Sequence, residues 1–179
     1  METAQLTKAK WNVDHYHSEI QFKVKHLVIS TVTGSFKKFD ASIEPEGDEF
    51  DDAQISFSAD INSINTGVAD RDNHLKSDDF FSAEKFPQLV FKSTSLELDG
   101  SHGTLKGNLT IRDITLPVEL SVFYGGKIED QYKQIKVGFE VSGLISRKDF
   151  GLTWNSLTEA GGGVVADQVK IEANVQFIK

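Results

Sequence analysis

Five histidines and several adjacent acids carry most of the reactive chemistry in this 179-residue chain, which has no cysteine. In Asp14-His15-Tyr16-His17 a strand would point His15 and His17 the same way, as sites that offer two imidazoles to a metal do. His26 and His74 would be the further ligands. Strand parity opposes this set, because His26 shares a face with Phe22 and Val24 while His17 falls with Glu19 and Lys23. Structural hydrogen bonding is the expectation for these histidines, and no metal is assigned.

The remaining polar motifs also read as structure. Asp51-Asp52 and Asp78-Asp79 are adjacent pairs, which point apart on a strand or cap a helix start. Arg71 with Asp72, and Arg147 with Asp149, are expected to form ion pairs that fix loops. Asp70, Asp72 and His74 echo the opening of a calcium loop, but Leu75 replaces its glycine and Phe81 its final Glu. Gly161-Gly162-Gly163 lacks the Lys-Ser/Thr of a phosphate loop and reads as a flexible turn. No nucleophile elbow, dinucleotide fingerprint or His-Glu-x-x-His is present, so no catalytic residue is assigned and the chain is expected not to be an enzyme.

The elements that hold these residues alternate with period two, the pattern of strands with one apolar face. Ile20, Phe22, Val24 and His26 share a face, as do Ile55, Phe57, Ala59 and Ile61. Leu105, Gly107, Leu109 and Ile111 form another face; Leu116 through Val122 and Ile135 through Ile145 continue the pattern. Val169, Ile171, Ala173, Val175 and Phe177 complete it. Parity changes between Phe36 and Phe39, and between Phe91 and Leu96, which reads as β-bulges of the sort that help a barrel close or, alternatively, as two short strands joined by a turn. Turns are expected at Glu46-Gly47-Asp48, Asp99-Gly100, Gly125-Gly126 and the triple glycine. About eight antiparallel strands result, suited to a barrel or a sandwich.

Between residues 67 and 86 the alternation stops and one or two short helices are predicted. Val68 and Leu75 share a helical face, and Ser77 caps a second turn ahead of Asp78 and Asp79. Phe80 and Phe81 follow, so the insert reads either as a lid or plug at a barrel mouth or as a helix that merely caps the core. Phe86, before Pro87, returns to extended geometry.

Length allows one domain, residues 1–179. The formal charge of −8, with basic residues scattered, disfavours nucleic acid and anionic membrane surfaces. METAQLTKAKW holds no apolar run, so the chain as written is expected to be cytoplasmic without stable membrane insertion; a leader removed earlier would place it in the periplasm. Thirteen phenylalanines, many on inward faces, supply an apolar interior. Small barrels either fill that interior or enclose one ligand, and burial gains about 0.8 kcal/mol per CH₂.

WNVDHYHSEIQFKVKHL, TGSFKKFDASI, INSINTGVADRDNHLKSDDFFSAEKFPQLVFKS, GTLKGNLTIRDITLPVEL and SRKDFG occur in that order and spacing. From Trp11 to Phe177 the chain resembles the YceI-like family of bacterial polyisoprenoid-binding proteins. Asp113 stands where glycine is common, at a turn, and no leader is expected on the chain as written, although several members are exported to the periplasm. The resemblance implies an extended, lipocalin-like antiparallel barrel with a helical insert. It also implies a long tunnel for a prenyl quinone, prenyl phosphate or other long-chain lipid, and a homodimer. The Arg71-Asp72-x-His74-Leu75 and Arg147-x-Asp149-Phe150-Gly151 segments match family motifs without implied catalysis.

The expected function is non-catalytic lipid binding, as carrier, store or sensor, with no cofactor beyond the lipid. Phe22, Val24, Phe36, Phe57, Phe91, Leu109, Phe139 and Val141 are the expected lining. Leu75, Phe80 and Phe81 would close one end, Trp154 would stand near a rim, and His26 would be the inward polar group. Two alternatives stand beside it: a metal-dependent enzyme using a His/Asp cluster on an apolar substrate, and a filled barrel acting as a stress-related interaction protein.

Overall fold

Residues 9–47, 49–156 and 163–179 are described in this computed structural model. Residues 1–8, Asp48, and Gly161 and Gly162 of the expected triple-glycine turn lie outside them. Alternation becomes strand almost everywhere it occurs. The strands are β1 (Trp11–Val13), β2 (Glu19–His26), β3 (Ser30–Phe36), β4 (Phe39–Glu44), β5 (Gln54–Asp60) and β6 (Ile64–Asn65). After helix α1 (Ala69–Lys76) come β7 (Gln88–Asp99), β8 (His102–Ile111), β9 (Ile114–Glu129), β10 (Ile135–Ser146) and β11 (Val165–Ile178).

Apolar faces are buried by rolling the sheet shut. Among the described residues β4, β5, β7, β8, β9, β10 and β11 pair in that order, and β1 closes an eight-strand antiparallel ring by pairing both β4 (Trp11 opposite Ile43) and β11 (Val13 opposite Phe177). β2 continues along β11, β3 lies on β2 and β6 on β3, which lengthens the wall beyond the ring at one end. This is the lipocalin-like barrel expected, drawn out on one side.

An aromatic cluster closes the other end. Phe50, from the β4–β5 loop, packs its ring edge-on against Trp11 at 5.6 Å and Phe139 at 5.5 Å; Phe139 in turn meets Tyr124 and Phe177. Such buried rings each contribute on the order of 2–3 kcal/mol through area removed from water. Phe50 lies outside any alternating run, so periodicity passed over it.

Of the two predicted bulges, one forms. β7 runs unbroken while its register on β8 shifts between Ser93 and Ser95, which carries the inward face from Phe91 to Leu96. The other is a break between strands: after Phe36 the chain bends through Lys37 and Lys38, leaves β2 as partner and joins β1 and β5. Gly125-Gly126, expected as a turn, lies within β9 as a bulge, with Gly126 at φ 113° and the register shifting opposite Gly138 and Phe139. The turn falls later, where the Asp130 side chain accepts from the Tyr132 and Gln134 N–H groups. Asp99-Gly100 does make its tight hairpin, with Asp99 opposite His102.

The insert holds one helix. Ser77 ends α1, its hydroxyl donating to the His74 carbonyl, and does not start a second helix. Ser82 sits at φ 51° and breaks helical geometry, so residues 77–86 fold back as turns pinned by a 2.6 Å hydrogen bond from Ser82 to Asp78. Val68 precedes the helix and is 47% exposed, so it does not share a buried face with Leu75.

Candidate functional site

Inward side chains of the barrel do not meet at its axis. They leave a chamber of about 150 Å³ bounded by apolar groups from β2 through β5 and β7 through β11, with Phe57, Phe91, Leu109, Phe139 and Val141 on its wall; Gln21 also borders it. The filled-barrel alternative is thereby corrected: the interior is hollow. An apolar cavity of this size is unfavourable for water and suits hydrocarbon.

A second chamber, of about 270 Å³, lies toward the extended end. Val24, Val32 and Val169 come from strands, Leu75, Phe80 and Phe81 from the insert, and Leu152, Trp154, Val164 and Val165 from the stretch entering β11. Phe22 and Phe36 border both chambers. Their ring centroids are 5.7 Å apart, and Phe36 meets Phe81 edge-on at 6.3 Å. These two rings stand on the wall where the two chambers adjoin. Each of the side chains expected along a tunnel, His26 and Trp154 included, borders one chamber or the other.

Of the two chambers, only the second is lined by ionisable side chains. Lys25, His26, Arg71, His74 and Arg147 edge it, and no acid is among its lining residues, in a chain whose net charge is −8. His74 is wedged edge-on between Trp154 (4.6 Å) and Phe80 (5.2 Å), and its Nε2 donates to Asp79 at 2.9 Å. One side chain thus ties the insert to the Trp154 segment.

The expected Arg–Asp ion pairs are replaced by something else. Arg71 donates to the hydroxyl and carbonyl of Thr66, while Asp72 accepts from the backbone N–H and hydroxyl of the same threonine. Both therefore anchor α1 to the end of β6. Arg147 is 3% exposed and donates to the carbonyls of Leu152, Trp154, Val165 and Ala166, not to Asp149. Burial lowers its pKa, and the nearby Asp167 carboxylate opposes that shift. A guanidinium has enough donors to serve all four carbonyls. Sequence spacing pointed to these residues but could not show their partners, which are Thr66 and backbone carbonyls rather than the adjacent acids.

The histidine pair expected on a strand lies in a 3-10 turn, His15–His17, where its rings diverge. His15 donates to the Phe39 carbonyl at 2.8 Å, and His17 to Asp14. Asp14 starts this turn, accepting also from the Tyr16 N–H and from Lys136. Burial alone would raise the Asp14 pKa, but hydrogen bonds from His17, Tyr16 and Lys136 outweigh it and hold the carboxyl below its ordinary value. Among the described residues no group of three or more His, Asp or Glu converges as a metal site.

The model of the YceI-like domain matches residues 11–177. A UPF0312 protein of Staphylococcus epidermidis is 37% identical over 171 residues, covering 94% of this chain and 96% of its own length. BcnA of Burkholderia cenocepacia shares the fold, with a TM-score of 0.79 at 22% identity, over 92% of this chain and 98% of that one. A polyisoprenoid binding domain from Saccharophagus degradans superposes with a TM-score of 0.67 at 15% identity, over 96% of this chain and 99% of that domain.

Proposed function

This chain belongs to the YceI-like family, and from that premise we propose that it holds one long-chain lipid, of the polyisoprenoid class, in its barrel without transforming it. One observation carries the reading: two apolar chambers meet at Phe22 and Phe36, with charged lining groups at one end only. An isoprenoid tail in the inner chamber and its head group in the outer one would match this division. Each buried CH₂ contributes about 0.8 kcal/mol, so affinity comes from the tail. Lys25 and Arg71 favour an anionic head, a prenyl phosphate, over a neutral quinone.

Organic extraction of the purified protein followed by mass spectrometry tests this. A stoichiometric isoprenoid, or saturable uptake of added prenyl phosphate or prenyl quinone, is the expected result. A protein that comes without lipid and takes up neither compound would overturn it. Such a protein could serve as carrier, store or sensor, and exchange rates between loaded protein and acceptor vesicles would separate these roles.

A further inference from the structure

The β2–β3 hairpin breaks the rules of turn chemistry at its tip. His26 pairs with Ser30, and the residues between them are Leu27, Val28 and Ile29. Leu27 (φ 53°) and Val28 (φ 65°) occupy left-handed backbone, where glycine or asparagine is at home and a β-branched residue is strained. Val28 and Ile29 are nonetheless 84% and 85% exposed. The hairpin is thus strained in order to present aliphatic side chains to the outside, a combination that stability alone does not favour.

Two further features say what the tip meets. Along the hairpin Lys25 is the charge nearest the tip; Lys23, further down β2, is paired with Glu172 on β11, and no acid lies between Gln21 and Phe39, although the whole protein is acidic. The tip also stands at the rim of the outer chamber: Leu27 N–H donates to the Val164 carbonyl at 2.8 Å, and Lys25, His26, Val164 and Val165 all border that chamber. We propose that Leu27, Val28 and Ile29 dip into the surface of a lipid bilayer, with Lys25 near anionic head groups, so that the chamber mouth faces the membrane. Aliphatic side chains flanked by lysine suit the boundary between head groups and acyl chains. Three protruding side chains offer too little area for a stable protein partner, which needs about 800 Å² a side. Among the described residues no helix is long and apolar enough to span a bilayer, and the contact proposed involves the tip alone. The charge of the chain as a whole pointed away from membranes; the exposed aliphatic tip beside Lys25 points toward one.

The purpose assigned to this contact, collecting or releasing an isoprenoid, rests on the lipid-binding reading; the contact itself does not. Flotation with vesicles of phosphatidylcholine containing one quarter phosphatidylglycerol tests it. The unaltered protein should float with them, and Val28→Asp with Ile29→Asp should reduce binding ~10-fold. Ile128→Asp with Tyr132→Asp, exposed apolar residues beside the β9–β10 turn, should leave it unchanged. Val28→Gly suits the left-handed backbone, so it should weaken vesicle binding without lowering the melting temperature; this keeps the test sound if the aspartate pair misfolds. Prenyl quinone uptake from dilute ethanol should be the same in all variants, while uptake from vesicles slows in the tip variants only. Failure of the unaltered protein to float, equal flotation of the tip and control variants, or loss of a dimer as the sole effect of the tip changes would each overturn the proposal. Tip-dependent flotation without uptake from ethanol would leave the membrane contact standing and overturn the lipid-binding reading instead.

Discussion

The ring of Phe22 lies against Gly34, its cross-strand partner on β3, so closely that a Cβ at Gly34 would fall within the ring's van der Waals envelope. Phe91 covers Gly107 and Leu120 covers Gly143 in the same way. Large side chains on this wall lie flat over glycine rather than reaching for the axis. That arrangement leaves space for two chambers in a barrel small enough for side chains to fill.

Gly34→Ala should therefore lift Phe22 off the wall and narrow the passage between the chambers. We expect a loss of about 1–3 kcal/mol in urea unfolding, as overpacking costs, together with reduced recovery of lipid by extraction. Unchanged stability and lipid content would mean that the ring has another place to go.

Phe57 stands on the inner chamber wall, stacked on Phe39 at 6.3 Å. Phe57→Trp should lower lipid occupancy by taking up chamber volume while the barrel still folds, as read by mass spectrometry of extracts alongside circular dichroism. Full occupancy in the variant would remove Phe57 from the ligand path.

Asp14 gives the fold an acid-sensitive contact. Its carboxyl titrates lower folded than unfolded, so its contribution is fully present above the ordinary carboxylate pKa of about 4 and is lost as pH falls below it. Asp14→Asn keeps an acceptor for the Tyr16 N–H but removes the charge facing Lys136 and His17. The variant should be less stable at pH 7 by about 1–2 kcal/mol, and the gap should close as pH drops toward 3. A gap independent of pH would show that packing, not charge, is at work.

Arg147→Lys should be severe despite keeping the charge. An ammonium cannot reach the four carbonyls that the guanidinium gathers. Unfolding free energy should fall by about 2–4 kcal/mol. Trp154, whose carbonyl is one of the four, should show red-shifted fluorescence as the chamber rim loosens; Trp11 is 3% exposed at the far end and should not. Wild-type stability in the lysine variant would contradict this role.

Alternation was legible because a strand's period is two, so one apolar residue on a face assigns its neighbours. Phe22, Val24, Phe139, Val141, Ile171 and Phe177 were all placed on the chamber side that way. Contacts made across distant segments carried no such signal. Phe50 plugs the closed end from a loop, Arg147 serves carbonyls from two separate stretches, and the His15 and His17 rings diverge because Asp14 winds a 3-10 turn. Lys37-Lys38 and Gly125-Gly126 each looked like the other's feature: the first is a break between strands and the second a bulge inside one. Bend and bulge both change parity, and only pairing partners distinguish them.

Sequence by itself determined which face of each strand is apolar, and hence that the sheet must turn that face away from water. Tertiary structure decided that the space so enclosed is hollow. Volume at the axis depends on whether each ring points inward or lies flat, which is settled by what stands on the neighbouring strand, a contact between residues as far apart in the chain as Leu120 and Gly143.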